Sequence, residues 1–232
     1  MNDRLQPVYA GPAGSGALTG ERNRVLRNTY WLLALSLVPT VLGAWVGVTT
    51  GVMASLGMGM SMLVFFGGAF AFMFAIEKTK HSATGVAVLL GFTFFMGLML
   101  SRMLAAVLGF SNGTTLIMTA FGGTAAIFFT MATLATVIKR DLSGMGKFLT
   151  IGAVILLVAF IVNAFVQSSA LMLTLLVLCL GIFSAFMVYD VKRVLDGGET
   201  NYITATLAIY LDIFNVFQSL LALLGIFGGE RE

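Results

Sequence analysis

Three long segments of this chain contain no Asp, Glu, Lys or Arg: Asn28 to Ile76, Met103 to Ile138 and Phe148 to Tyr189. A helix crosses the hydrocarbon core of a bilayer with about 20 apolar residues. The first and third segments are too long for one crossing, so each must turn back. The turns fall where small and polar residues interrupt the run, at Thr49-Thr50-Gly51, Ser111-Asn112-Gly113 and Gln167-Ser168-Ser169. Spans follow near 28–48, 53–76, 83–107, 114–138, 148–166, 170–190 and 202–226. The composition, 59% hydrophobic and 10% charged with a mean hydropathy of +1.00, agrees with an all-α polytopic membrane protein and leaves no room for a water-facing fold. The last span has a polar centre, which keeps a re-entrant pair of half-helices open as the alternative to a full crossing.

The cations orient the bundle. Of the 13 Lys and Arg, all but Arg102 and Arg231 fall in the N-terminal arm and in alternate loops, among them Lys78, Lys80, Lys139, Arg140, Lys147, Lys192 and Arg193. Positive charge stays on the cytoplasmic side, so the N-terminus is expected in the cytoplasm and the C-terminus, after seven crossings, outside. The net charge of +3 therefore reports membrane orientation, and no basic face suited to nucleic acid exists outside those loops. Residues 1–24 read as a flexible cytoplasmic arm, 25–228 as the transmembrane domain and 229–232 as a short C-terminal tail. No secretory signal peptide is expected, because no short apolar core and cleavage site follow a charged start.

Metal and thiol chemistry find little support. Cys179 stands by itself inside the sixth span and reads as a small buried hydrophobe, while His81 has no His or Cys partner for zinc. No cofactor is expected. Small residues spaced by four, Gly43 with Gly47 and Gly181 with Ala185, offer close approach between helices.

Polar residues within the spans narrow the search for a site. Asp212 is the only charge between Thr200 and Gly229, and an acid at that depth is expensive unless it faces the bundle interior. Asn215 and Ser219 follow at i+3 and i+7 and share its face. A second acid, Asp190, closes the sixth span after Tyr189. The short charged loop from Val191 to Asn201 makes spans six and seven antiparallel, which lets the two acids meet. Two carboxyls in a dehydrated bundle share a proton and lose it as pH rises, which makes a proton-sensitive gate. Once ionised they present oxygen ligands to a hard cation such as Ca²⁺, held transiently. Depth is the obstacle. Asp212 lies about 15 Å into its span at 1.5 Å per residue, whereas Asp190 is close to the interface. Contact requires span six to continue past Asp190, as far as Leu195, or span seven to begin after Tyr202.

Four stretches carry a resemblance to a known family: Val25-Leu26-Arg27-Asn28-Thr29-Tyr30, Lys139-Arg140-Asp141-Leu142-Ser143, Tyr189-Asp190, and Tyr210 through Phe217 (YLDIFNVF). The chain resembles the bacterial branch of the Bax inhibitor-1 (transmembrane Bax inhibitor motif) family over about residues 21–228. That resemblance implies seven helices, six of them surrounding a central C-terminal one. It also implies a pH-sensitive calcium leak of the bacterial inner (plasma) membrane, with a di-aspartyl sensor that maps onto Asp190 and Asp212.

The 25–30 motif and Gly197 through Ile203 (GGETNYI) also resemble a bacterial subgroup that modulates a membrane-anchored AAA protease. Two expectations follow: a calcium leak channel or transporter gated by Asp190 and Asp212 and supported by Asn215, Ser219 and Tyr189, or an interaction protein acting on such a protease. An enzyme is not expected. Intramembrane aspartyl proteases pair Tyr-Asp with Gly-x-Gly-Asp, and Tyr210-Leu211-Asp212 lacks those glycines.

Overall fold

A computed structural model describes residues 13–230 of the chain. Its elements are α1 (Ala13–Thr50), a short α2 (Val52–Ser55), α3 (Met58–Thr79), α4 (Ala83–Leu108), α5 (Gly113–Val137), α6 (Ser143–Val166), α7 (Ser169–Leu195) and α8 (Tyr202–Gly228). Among the described residues, 7 helices are long and apolar enough to cross a membrane. The last is unbroken from Tyr202 to Gly228, so no pair of half-helices forms there. The protein is an all-α polytopic membrane protein.

The chain reverses where backbone geometry is least restricted. Gly51, expected in a turn, adopts φ 65° and separates α1 from α2. The second expected turn closes at Gly113, whose added Cβ would meet the Val107 carbonyl. At the third, Gln167 takes the left-handed conformation at φ 54°, and the Asn163 side chain receives the Ser168 amide at 3.1 Å. The expected second span, 53–76, begins within α2, whereas the structure interrupts it at Leu56 and Gly57 and starts the long helix α3 at Met58.

The part of the expected arm that is described, residues 13–24, is helical and continuous with the first span, and the rest lies outside the described residues. The Arg22 guanidinium donates to the Leu195 carbonyl at the end of α7 and ties the start of the bundle to its later half. One expectation needs correction: Gly181 meets nothing within 4 Å of its would-be Cβ and brings no helix close. Gly43 and Gly47 behave as expected. A Cβ on Gly43 would strike the Phe94 carbonyl, one on Gly47 the Ser101 side chain, and one on Gly97 the Thr40 carbonyl. These contacts press α1 and α4 together along the most extensive helix pair in the bundle.

α8 packs against α1, α3, α4, α5 and α7, whereas α6 packs principally on α7. The central apolar windows of α4 and α8 are equally enclosed, each with 39% of residues buried. α6 instead exposes Phe148, Ile151, Ile155, Val158 and Val162, as expected of a helix facing acyl chains. The main core joins Leu32 and Leu33 of α1, Leu89, Phe92 and Met96 of α4, Val188 and Val191 of α7, and Ile209, Tyr210 and Phe214 of α8.

The two ends of the bundle differ. At one, Arg22, Lys80, Lys192 and Arg193 gather with the α3–α4 and α7–α8 loops. At the other, Arg102 donates to the Leu56 carbonyl, and the end of α8 is held to the α4–α5 turn by Asn112 donating to Gly228 O at 2.6 Å and Ser111 N donating to Glu230 O at 3.0 Å.

Candidate functional site

Asp212 points inward. It is 3% exposed, and its Oδ2 is buried with no hydrogen-bond partner among the described residues. Asp190 approaches it: the two carboxyl side chains lie close enough across the α7–α8 interface to interact. The obstacle of depth is resolved on the α7 side, because that helix continues past Asp190 to Leu195 while α8 begins at Tyr202. Asp190 is therefore set inside a helix whose last turn rises beyond it. Near the two acids in the chain are the buried apolar residues Val188 and Val191 of α7 and Ile209 and Phe214 of α8.

Two carboxyls at close approach repel when both are ionised, and they can share a hydrogen bond only when one of them holds a proton. Nearby charges come from the end of α7 and the loop beyond it. Arg193 and Glu199 act electrostatically on Asp190 while pairing with each other at 3.2 Å. Arg102, at the other end of the bundle, takes no part.

The expected supporting residues divide. Ser219 is buried and lies near Cys179 of α7, so it shares the α7-facing side of α8 with Asp212. Asn215 donates back to the Leu211 carbonyl of its own helix at 2.8 Å. Tyr189 turns away towards α6, where its ring and hydroxyl lie over Gly146. Adjacent residues on a helix are separated by about 100°, so Tyr189 and Asp190 could not both face α8.

Two features lie beyond the sequence expectations. Tyr210 is buried at 2% exposure, its hydroxyl 2.9 Å from that of Thr40 and 3.5 Å from the Thr93 carbonyl. It joins α8 to α1 and α4 two residues before Asp212. A tyrosine among apolar neighbours signals that its hydroxyl needs a partner, but not which one. The second feature is the α7–α8 loop. Gly197 adopts φ 79°, a conformation that suits glycine, and lets the chain turn directly after α7. Glu199 accepts from the Asn201 amide at 2.9 Å, and Asn201 caps α8 through Ile203 N and Thr204 N at 2.9 and 3.2 Å. The Asn201 amide group donates to the Lys80 carbonyl at 2.7 Å, fastening this loop to the α3–α4 loop. The GGETNYI stretch thus builds a braced cap over the end of the bundle nearest the acid pair.

The family described as "Inhibitor of apoptosis-promoting Bax1" matches residues 22–229. The chain belongs to this Bax inhibitor-1 family. Its relatives include an uncharacterised protein of Neisseria meningitidis serogroup A, 37% identical over 220 residues that cover 92% of this chain and 96% of that one. An uncharacterised membrane protein of Vibrio cholerae is 36% identical over 208 residues, covering 90% and 92% of the two chains. The Escherichia coli K12 protein named modulator of FtsH protease YccA is 34% identical over 203 residues, covering 88% and 90%. Bax inhibitor-1 family members are non-catalytic membrane proteins. Among the described residues, no three His, Cys, Asp or Glu side chains gather as a metal site.

Proposed function

We propose that this protein is a non-catalytic, multi-pass component of the bacterial inner membrane that modulates a membrane-anchored AAA protease of the FtsH type, with its N-terminus and cation-rich loops in the cytoplasm. The observation that carries this reading is the similarity to the E. coli modulator along nearly the whole of both chains, at 34% identity. The braced α7–α8 loop supports it, because a rigid surface at a membrane interface loses little conformational freedom when a partner docks. Full-length protein reconstituted with the protease and an unstable membrane substrate tests the reading. The expected result is slower substrate degradation as this protein is added, together with its co-purification with the protease. Unchanged degradation without association would remove the proposal.

The Asp190–Asp212 contact favours a second reading, a pH-sensitive cation leak with calcium as the transported ion. In it the carboxyl pair is the sensor: the shared proton keeps α7 and α8 together, and its loss leaves like charges to part and to bind calcium transiently. Calcium entry into proteoliposomes then depends steeply on pH. Asp212→Asn and Asp190→Asn each flatten that dependence, because the pair titrates as a unit. Absence of flux in the native protein, or a pH profile that neither variant alters, would remove this reading.

A further inference from the structure

The cation-rich end of the bundle carries a shallow cleft of about 560 Å³ lined by Ser143, Gly146, Lys147, Thr150, Ile151 and Tyr189. It lies between the start of α6 and the end of α7, on the α6-facing side of α7 and not the α8-facing side that carries the acid pair. Gly146 makes the cleft possible, since a Cβ there would run into the Tyr189 ring and hydroxyl. The small hydroxyls of the lining are engaged: Ser143 donates to Asp141 at 2.9 Å and Thr150 to the Gly146 carbonyl at 2.8 Å. Among the described residues, the Lys147 ammonium has no ion-pair partner and the Tyr189 hydroxyl has no hydrogen-bond partner. Two donors, one charged, therefore share this cleft.

What lies next to those donors indicates the occupant. One turn further along α6 the surface becomes apolar and outward-facing, with Ile151 61% and Ile155 62% exposed. A ligand seated here would meet a cation and a hydroxyl at the interface and hydrocarbon contact below, the layout of a phospholipid with its phosphate up and its chains down. The adjoining part of the end surface adds Lys192, Arg193, Asp141 and Asp196. Both carboxylates there are occupied, Asp196 by Lys192 at 2.9 Å and Asp141 by the Ser143 amide at 2.8 Å. Exposed Lys139 and Arg140 precede the cleft in the α5–α6 loop and add to the positive potential.

We propose that this cleft binds the phosphate of one anionic phospholipid, with Lys147 supplying the charge, the Tyr189 hydroxyl the hydrogen bond, and Ile151 and Ile155 the surface for an acyl chain. Binding there clamps α6 to the end of α7 next to Asp190. The site is independent of whether the protein modulates a protease or conducts an ion.

The test is native mass spectrometry of the full-length protein in detergent, titrated with phosphatidylglycerol or phosphatidylcholine, with thermal unfolding recorded for every variant. One phosphatidylglycerol is expected to be retained in preference to phosphatidylcholine. Lys147→Gln lowers that retention about fivefold, the scale of one cation near an anionic surface, and Tyr189→Phe lowers it about threefold, the scale of one hydrogen bond. Lys147→Arg, which keeps the charge and the fold, retains the lipid, as does Lys80→Gln elsewhere on the same end. Inorganic phosphate should not displace the lipid; displacement would assign the cleft to free phosphate and overturn the proposal. Equal retention of the two lipids, or retention unchanged in folded Lys147→Gln, would overturn it as well.

Discussion

The hydroxyls of Tyr210 and Thr40 stand 2.9 Å apart in the middle of the bundle, and Thr40 also bonds the Ser36 carbonyl of its own helix at 2.8 Å. With the Thr40 hydrogen directed at Ser36, Tyr210 is the donor between the two. Tyr210→Phe removes that donor and leaves the Thr40 oxygen buried, at a cost of about 1 kcal/mol. Melting in detergent should fall by about 2–4 °C for a chain of this size. Thr40→Val removes the acceptor, so the double variant should melt close to the worse single one; fully additive losses would show that the two side chains are not coupled.

Glycine positions should differ sharply in tolerance. Gly97→Ala drives a methyl against the Thr40 carbonyl, where only backbone can yield, and is expected to destabilise by about 1–3 kcal/mol. Gly181→Ala meets open space and should stay within about 0.5 kcal/mol of the parent. Thermal unfolding of the two variants side by side decides it, and equal melting would contradict the close α1–α4 packing.

Asn201 performs two tasks that a pair of substitutions separates. Asn201→Asp keeps the oxygen that caps α8 and loses the donor to Lys80, whereas Asn201→Ala loses both. Stability should rank native, then Asp, then Ala, with the Ala variant lower by about 0.5–2 kcal/mol from the cap alone. An Asp variant as unstable as Ala would mean that the cap contributes nothing.

Asp141, on the exposed α5–α6 loop, accepts the Ser143 amide and hydroxyl, and these hydrogen bonds hold its carboxyl below the ordinary 3.8. A depressed carboxyl contributes stability that is present above 3.8 and is lost as pH falls through the folded-state value. Ser143→Ala removes the hydroxyl contribution and should move the Asp141 titration, followed by carboxyl NMR, up towards 3.8. An unmoved titration would leave the hydroxyl without a role.

The cation distribution and the seven long apolar helices predict that the two ends of the chain lie on opposite sides of the membrane. A reporter fused after Glu232 should be active only outside the cytoplasm, and one inserted between Asp141 and Gly146 only within it. Cytoplasmic activity from both would mean that α8 does not cross.

Much of the bundle was legible without coordinates because a bilayer leaves a backbone few choices. Buried amides must be satisfied internally, so an uncharged run of sufficient length becomes a helix. The turns at Gly51, Gly113 and Gln167 lay where polar and small residues interrupt such runs. The inward direction of Asp212 followed from the cost of exposing a carboxyl to lipid.

Other features depended on how helices meet. Gly43 and Gly181 look alike in sequence, yet one faces the Phe94 carbonyl and the other faces nothing, because spacing gives a helical face but not what lies opposite it. The same limit hid the bond between Tyr210 and Thr40, and the turn of Tyr189 towards Gly146. Sequence alone determined that this chain crosses a membrane as helices and keeps one acid inside them, since both follow from transfer of individual groups out of water. Only the tertiary structure decided that Asp190 reaches Asp212, because that contact depends on α7 running on to Leu195 and on the way two particular helices pack, which is set by the shapes of many side chains together.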